Sequence, residues 1–173
     1  MISISVSGTD RIAHRIAAGI REIQNPAPVL KLIQVIGEDE IKGNFRRQKN
    51  SDGSPWPRLK YRSGTPLIDK LGRMQKGITS ALVQSGVLFA AGYATRAYNA
   101  AHNFGVTTKA HDIKPVNKKA LFWPGAASPV TIVHHPGSVI PQREFMFFSR
   151  EGRQRMVDEV RRFAIRALGG GRA

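Results

Sequence analysis

Histidines, carboxylates and glycine-rich turns are where this chain could do chemistry, and none of their arrangements completes a site. His134-His135 is the best metal candidate, but adjacent side chains on a strand point to opposite faces, so at most one would meet a given ion. His111, Asn117 and His134 supply the residue types of a histidine-base nuclease, in a spacing that fits no motif for one. A paired-carboxylate mechanism would draw on Asp69, Asp112 and Glu144, which lie in different segments. There is no G-x-S-x-G elbow, no G-x-x-x-x-G-K-S/T loop and no H-E-x-x-H helix. Gly169-Gly170-Gly171 has no helix after it and reads as a flexible end, not a phosphate cradle. The expectation is a protein that acts by contact: not an enzyme, with no cofactor and no metal.

Charge points to what it contacts. Lys and Arg number 27 against 12 Asp and Glu, giving +15 and a pI near 11.1. Residues 1–86 hold 14 basic and 7 acidic groups, and residues 87–173 hold 13 and 5, so no single tail carries the excess. Such a field attracts phosphate backbones without reading bases, and equally attracts an acidic protein surface. One run holds Lys42, Arg46, Arg47, Lys49, Arg58, Lys60 and Arg62, opposed only by Asp52 and interleaved with Phe45, Trp56 and Tyr61. The first six are candidate DNA-facing residues. Either the aromatics stack on bases, or Phe45 and Trp56 pin the loop to the core while the cations stay in water.

Absence of cysteine excludes disulfides and thiolate metal sites and agrees with a reducing compartment. No run reaches the roughly 18 apolar residues of a membrane span, and residues 1–20 lack a signal peptide's continuous apolar stretch. A cytoplasmic origin with no membrane partner is expected. A length of 173 residues fits one domain with a real core.

Residues Met1 to Ser7 alternate Ile2, Ile4 and Val6 with serines, the period of a half-buried strand. Thr9 or Asp10 can cap a helix over about 10–24, with Ile12, Ile16, Ile20 and Ile23 on one face. A longer helix is expected over about 27–49, drifting by one residue near Gly37, with Glu38-Asp39-Glu40 facing water. Turn formers from Ser51 to Pro57 force a defined loop around Trp56. A short helical turn over Leu67 to Met74 is broken or bent at Gly72.

Ile78 to Tyr93 reads as two strands joined near Gln84-Ser85-Gly86. Thr95 can cap the next helix, on which Tyr98 and His102 share a face and which Gly105 stops. Residues 106–119 are polar, with Lys109, Lys114, Lys118 and Lys119, and Ala120 to Trp123 and Val130 to Val133 read as two further strands. A last helix over about 149–168 has a Ser149 cap, sets Met156, Val160, Phe163, Ala164 and Ala167 on one face and carries arginines on the other. The expected fold is α+β: a small mixed or antiparallel sheet of about four or five strands packed against a long N-terminal helix and a C-terminal helix. One domain is expected, with an N-terminal strand and helix over 1–25, a core over 26–168 and a flexible tail over 169–173.

Four sets of residues have a recognisable order. Asn44-Phe45-Arg46 leads to Asp52-Gly53-Ser54-Pro55-Trp56, a Phe followed by Asp-Gly-x-x-Trp. Leu67 to Met74 has the form of a Leu-x-Asp-Thr-Gly-x-Leu turn, with extra residues between Asp69 and Gly72. Tyr98 to Gly105 follows Tyr-Ala-x-x-His-x-Phe-Gly, with Asn99 at the alanine position. Lys119 to Trp123, His135-Pro136-Gly137 and the Ile-Pro-x-Arg-x-Phe block at Ile140 to Phe145 complete the series. In this order and spacing the chain, from about residue 28 to 168, resembles the virion morphogenesis or tail-completion proteins of Mu-like and P2-like tailed bacteriophages.

The resemblance implies a small structural subunit of the head-to-tail junction, a tail completion or tail terminator protein. It would form a ring, hexameric in this reading, around the DNA passage. Its implied partners are copies of itself, neighbouring neck, connector and tail-tube proteins, and passing double-stranded DNA bound without sequence preference. Its place is the neck or tail of the virion, after assembly in the host cytoplasm. A ring has head-to-tail interfaces, so each subunit must present two different complementary patches. Tyr98, His102, Phe104, Arg143 and Phe145 are the candidate interface residues, Arg143 offering a planar fork for a carboxylate or for backbone carbonyls and Phe145 offering buried area. The alternative is a phage-encoded basic DNA-binding or DNA-processing accessory protein, which would bind duplex tightly as a lone monomer.

Overall fold

The computed structural model describes residues 9–60, 63–68, 71–84, 86–92, 96–123 and 127–169. The strand expected at Met1 to Ser7 and the cap expected at Thr95 lie outside them. Helices α1 (Thr9–Gln24) and α2 (Ala27–Arg47) are followed by a single turn, α3 (Arg73–Lys76), and by strands β1 (Ile78–Val83) and β2 (Gly86–Ala91). Then come α4 (Arg96–Phe104), β3 (Val106–Thr107), β4 (His111–Ile113), β5 (Val133–His135), β6 (Val139–Ile140) and α5 (Arg150–Ala167).

The helices start and stop where local chemistry directs. Pro26 precedes α2, where the N–H it lacks would have had no helical partner. At the other end Gln48 turns left-handed at φ 54° and donates its N–H to Asn44 O at 2.9 Å, satisfying a terminal carbonyl. Ser149 Oγ accepts the Gly152 N–H at 2.9 Å, so α5 has the cap its sequence predicts.

Packing is organised around α2. Ile41, Phe45, Trp56, Leu67, Ile78 and Phe145 form the buried core, with Phe89, Met146 and Phe148 against it. The β1–β2 hairpin, in register from Ile78↔Ala91 to Val83↔Gly86, lays the Phe89 ring on Gly37. A Cβ on Gly37 would lie 2.2 Å from that ring. Gly152 on α5 fits as closely over the Glu40 side chain, and Gly19 lets α1 meet the backbone of Ala167. Contact of α1 through glycine leaves Ile16, Ile20 and Ile23 exposed.

Three expectations change. The acidic run at 38–40 does not simply face water. Glu40 is buried, accepting hydrogen bonds from Ser149 Oγ at 2.7 Å and Arg47 Nη2 at 3.2 Å with Arg155 at 3.6 Å, while Glu38 is half-buried and only Asp39 lies open. Hydrogen bonds from Lys42 and then Ser80 hold the Glu38 carboxyl below its ordinary pKa. Secondly, the helical turn lies at Arg73–Lys76 and not at 67–74, because both Leu67 and Gly72 adopt positive φ and interrupt a helix there. Thirdly, the class is α+β, but the described strands divide into three antiparallel pairs, β1–β2, β3–β6 and β4–β5. Ala120 to Trp123 contributes one bridge, Leu121↔Val130, whereas the polar stretch 106–113 supplies β3 and β4. Pairing with 133–140, a non-local condition, overrides the local apolar pattern.

Candidate functional site

Three of the blocks that carry the family likeness, Asn44 to Trp56, Tyr98 to Gly105 and Ile140 to Phe145, meet around one irregular segment, Arg143 to Phe147. That segment lies in no sheet, and side chains take the place of a neighbouring strand. Arg143 N donates to His102 O at 2.7 Å, and Glu144 N donates to Asn50 Oδ1 at 2.9 Å. Phe145 N and Met146 N both donate to Asn103 Oδ1, at 3.1 and 2.9 Å. On the carbonyl side, Trp56 Nε1 donates to Glu144 O at 3.1 Å, and Asn44 Nδ2 donates to Phe145 O and Phe147 O at 2.8 and 2.9 Å. Buried backbone groups must find partners, and here two helices and a loop supply them.

Arg143 closes the junction. Its Nε donates to Pro57 O at 2.9 Å and its Nη2 to Arg58 O at 3.4 Å, so the fork engages backbone carbonyls of the loop. Its Nη1 lies 3.5 Å from His102 Nδ1. Burial first, and the Arg143 charge second, hold His102 below its ordinary pKa of 6.5, and burial also lowers Arg143. The unfolded chain therefore takes up a proton that folded His102 resists. Stability from this source is complete above pH 6.5 and declines as pH falls toward the lower folded value. His102→Gln should have a flatter urea midpoint between about pH 7 and pH 5 than the parent chain. Identical slopes for the two proteins would exclude His102 as the sensitive group.

The five candidate interface residues separate by exposure. Phe145 is fully buried, Arg143 is 4% exposed and His102 is half-buried, so these three shape the subunit from within. Tyr98 and Phe104 are 67% and 74% exposed. Phe104 stands on the rim of an apolar groove of about 300 Å³ lined also by Ala91, Ala100, Phe145 and Met146. Of the six basic candidates, Lys42 pairs with Glu38 at 2.7 Å, Arg46 with Asp39 at 3.8 Å and Arg47 with Glu40 at 3.2 Å. Lys49, Arg58 and Lys60 are exposed. Phe45 and Trp56 are enclosed, so they pin the loop and are closed to base stacking.

The three histidines considered for metal or nuclease chemistry lie elsewhere, on the β4–β5 pair. His111 stacks on His135 with centroids 5.1 Å apart, while His134 Nδ1 meets Asp112 Oδ1 at 2.9 Å. Their cross-strand partners place His134 and His135 on opposite sides, as strand alternation requires. Among the described residues no group of three His, Cys, Asp or Glu is placed to hold a metal, and no helix is long and apolar enough to cross a membrane. Asp112 and Glu144 remain on separate elements, and Asp69 lies outside the described residues.

Sequence reasoning assigned no role to Asn44, Asn50 or Asn103. The available signal was an asparagine inside each of two helices, a residue that weakens helices unless its side chain has other work. Fold and site define an α+β chain whose polar side chains at this junction are occupied in fixing its own backbone. The chain belongs to the phage virion morphogenesis family, whose model matches residues 6–163. Comparison with curated proteins and with solved structures finds no match. Family membership gives a role in the structure or assembly of the phage virion.

Proposed function

We propose that this chain is a tail completion or tail terminator subunit that forms a hexameric ring at the head-to-tail junction, around the DNA passage. It acts by contact and catalyses no reaction. The observation that carries this reading is a pair of unlike apolar surfaces on different elements of one chain. One is the α4 groove with Phe104 at its edge; the other is the isoleucine face of α1, Ile16, Ile20 and Ile23. Head-to-tail closure needs two such dissimilar patches, and a stable monomer has little reason to leave both in water. Copies of the chain and the adjoining neck, connector and tail-tube proteins are the partners this implies.

Electron microscopy of particles assembled without the chain tests the proposal. Tails of wrong length identify a terminator, and normal free tails beside filled heads identify a joining factor. Intact, infectious particles that lack the chain would overturn it.

A further inference from the structure

Among the described residues from Val106 to Gln142, none is buried. Yet this stretch is ordered by backbone pairing. Thr107 faces Val139, and four residues further along each strand His111 faces His135, so β3–β6 and β4–β5 share one register and form a single ribbon interrupted near Pro136-Gly137. Thr108 N donating to Ser138 O at 2.8 Å continues the pairing between them. The span from 106 to 113 alone is roughly 25 Å at about 3.3 Å per residue. Further out, residues 114–120 on one strand stand against 131–132 on the other before Leu121 pairs with Val130, so the two strands are of unequal length there. A ribbon of two strands with no core behind it is marginal in water, which implies a partner lying against it.

Charge selects the partner. The stretch from Gly105 to Pro141 holds Lys109, Lys114, Lys118 and Lys119 against one acid, Asp112, which His134 engages. All four lysines are exposed, and none pairs with an acid among the described residues. Lys42, Arg46 and Arg47, by contrast, are already opposed by carboxylates of α2. A two-stranded ribbon is also of the width that the major groove of a duplex admits.

We propose that the 106–140 ribbon is the DNA-contacting arm of this protein, meeting the phosphate backbone of double-stranded DNA through Lys109, Lys114, Lys118 and Lys119. The lumen position of this arm rests on the ring reading above; the contact itself does not. Phe122 and Trp123, exposed at the outer end, favour a protein neighbour, which is the rival outcome.

The test is a titration of the full chain against a short duplex of mixed sequence, followed by fluorescence anisotropy over a series of salt concentrations. Each lost phosphate contact lowers the slope of log K against log salt by about 0.9, so replacing all four lysines by glutamine is expected to remove up to about 3.6 from it. At low salt the affinity should fall at least tenfold. Replacing them by arginine should keep the slope, and Lys31→Gln with Lys76→Gln, at exposed lysines away from the ribbon's sequence, should leave it unchanged. Equal slopes for the arm variant and the parent, equal losses from both glutamine sets, or no duplex binding by the parent at low salt would each overturn the arm. Particles made without the chain judge the ring separately, so either reading can fail alone.

Discussion

Phe45→Ala is expected to lower the stability of the subunit by about 3–5 kcal/mol, since it truncates a fully enclosed aromatic and leaves a cavity behind. The ring sits edge-on to Trp56 with centroids 5.9 Å apart and tilted against Phe145 at 5.0 Å, so it joins α2, the loop after it and the Arg143 to Phe147 segment. A domain of this size has roughly 5–15 kcal/mol in all, so the loss is a large share. Urea unfolding is the measurement, with a fall in midpoint at unchanged m-value as the expected form. Trp56 fluorescence should shift to the red if the loop is released with the ring. Leu32→Ala, on the exposed side of the same helix, should stay within about 0.5 kcal/mol of the parent. A similar small effect for Phe45→Ala would mean that the core lies elsewhere.

What the sequence showed and what it hid follow from how local the governing interactions are. The course of α2 was legible because Val29, Ile33 and Ile36 continue to Ile41 and Phe45 after a one-residue drift near Gly37, and the β1–β2 hairpin because a glycine-containing turn separates two apolar runs. Ser149 announced its own helix. Glu40 was misread because three acids in succession look solvated from composition alone. Its partners Ser149, Gly152 and Arg155 stand more than a hundred residues away, and a carboxylate goes into a core only when such partners converge. The ribbon was hidden for the same reason. Residues 106–113 carry no apolar alternation, and their pairing depends on 133–140. Of the site, the blocks were visible as an ordered pattern, and Arg143 was expected at an interface, whereas its fork engages carbonyls of Pro57 and Arg58 in its own chain. The convergence of the blocks on one segment was not visible, because the residues that bring it about are asparagines, which read as surface.

Asn103→Leu tests that convergence most directly. The side chain is nearly enclosed, and its Oδ1 is the acceptor for two backbone donors, Phe145 N and Met146 N. Leucine fills similar space and accepts nothing, so two N–H groups lose their partner at about 1–3 kcal/mol each. A total loss of about 2–6 kcal/mol is expected in urea unfolding. Asn44→Leu removes the two donors that reach Phe145 O and Phe147 O on the same segment. Because one segment serves both asparagines, releasing it once reduces what the second substitution can take away. The double variant should then fall short of the sum by about 0.5–3 kcal/mol. Strict additivity would mean that the two asparagines hold independent sites, and the account of a segment bound in place of a strand would fail. Amide exchange gives the spatial readout: protection at Phe145 and Met146 should drop first, ahead of the helical amides of α2, because only their acceptor has been removed. The same segment follows β6 and leads into α5, so its release unfastens the return strand of the ribbon and the cap of the last helix together. Loss of particle assembly in the Asn44→Leu variant, with the lining of the α4 groove and the lysines chemically intact, would place the origin of the defect in this junction.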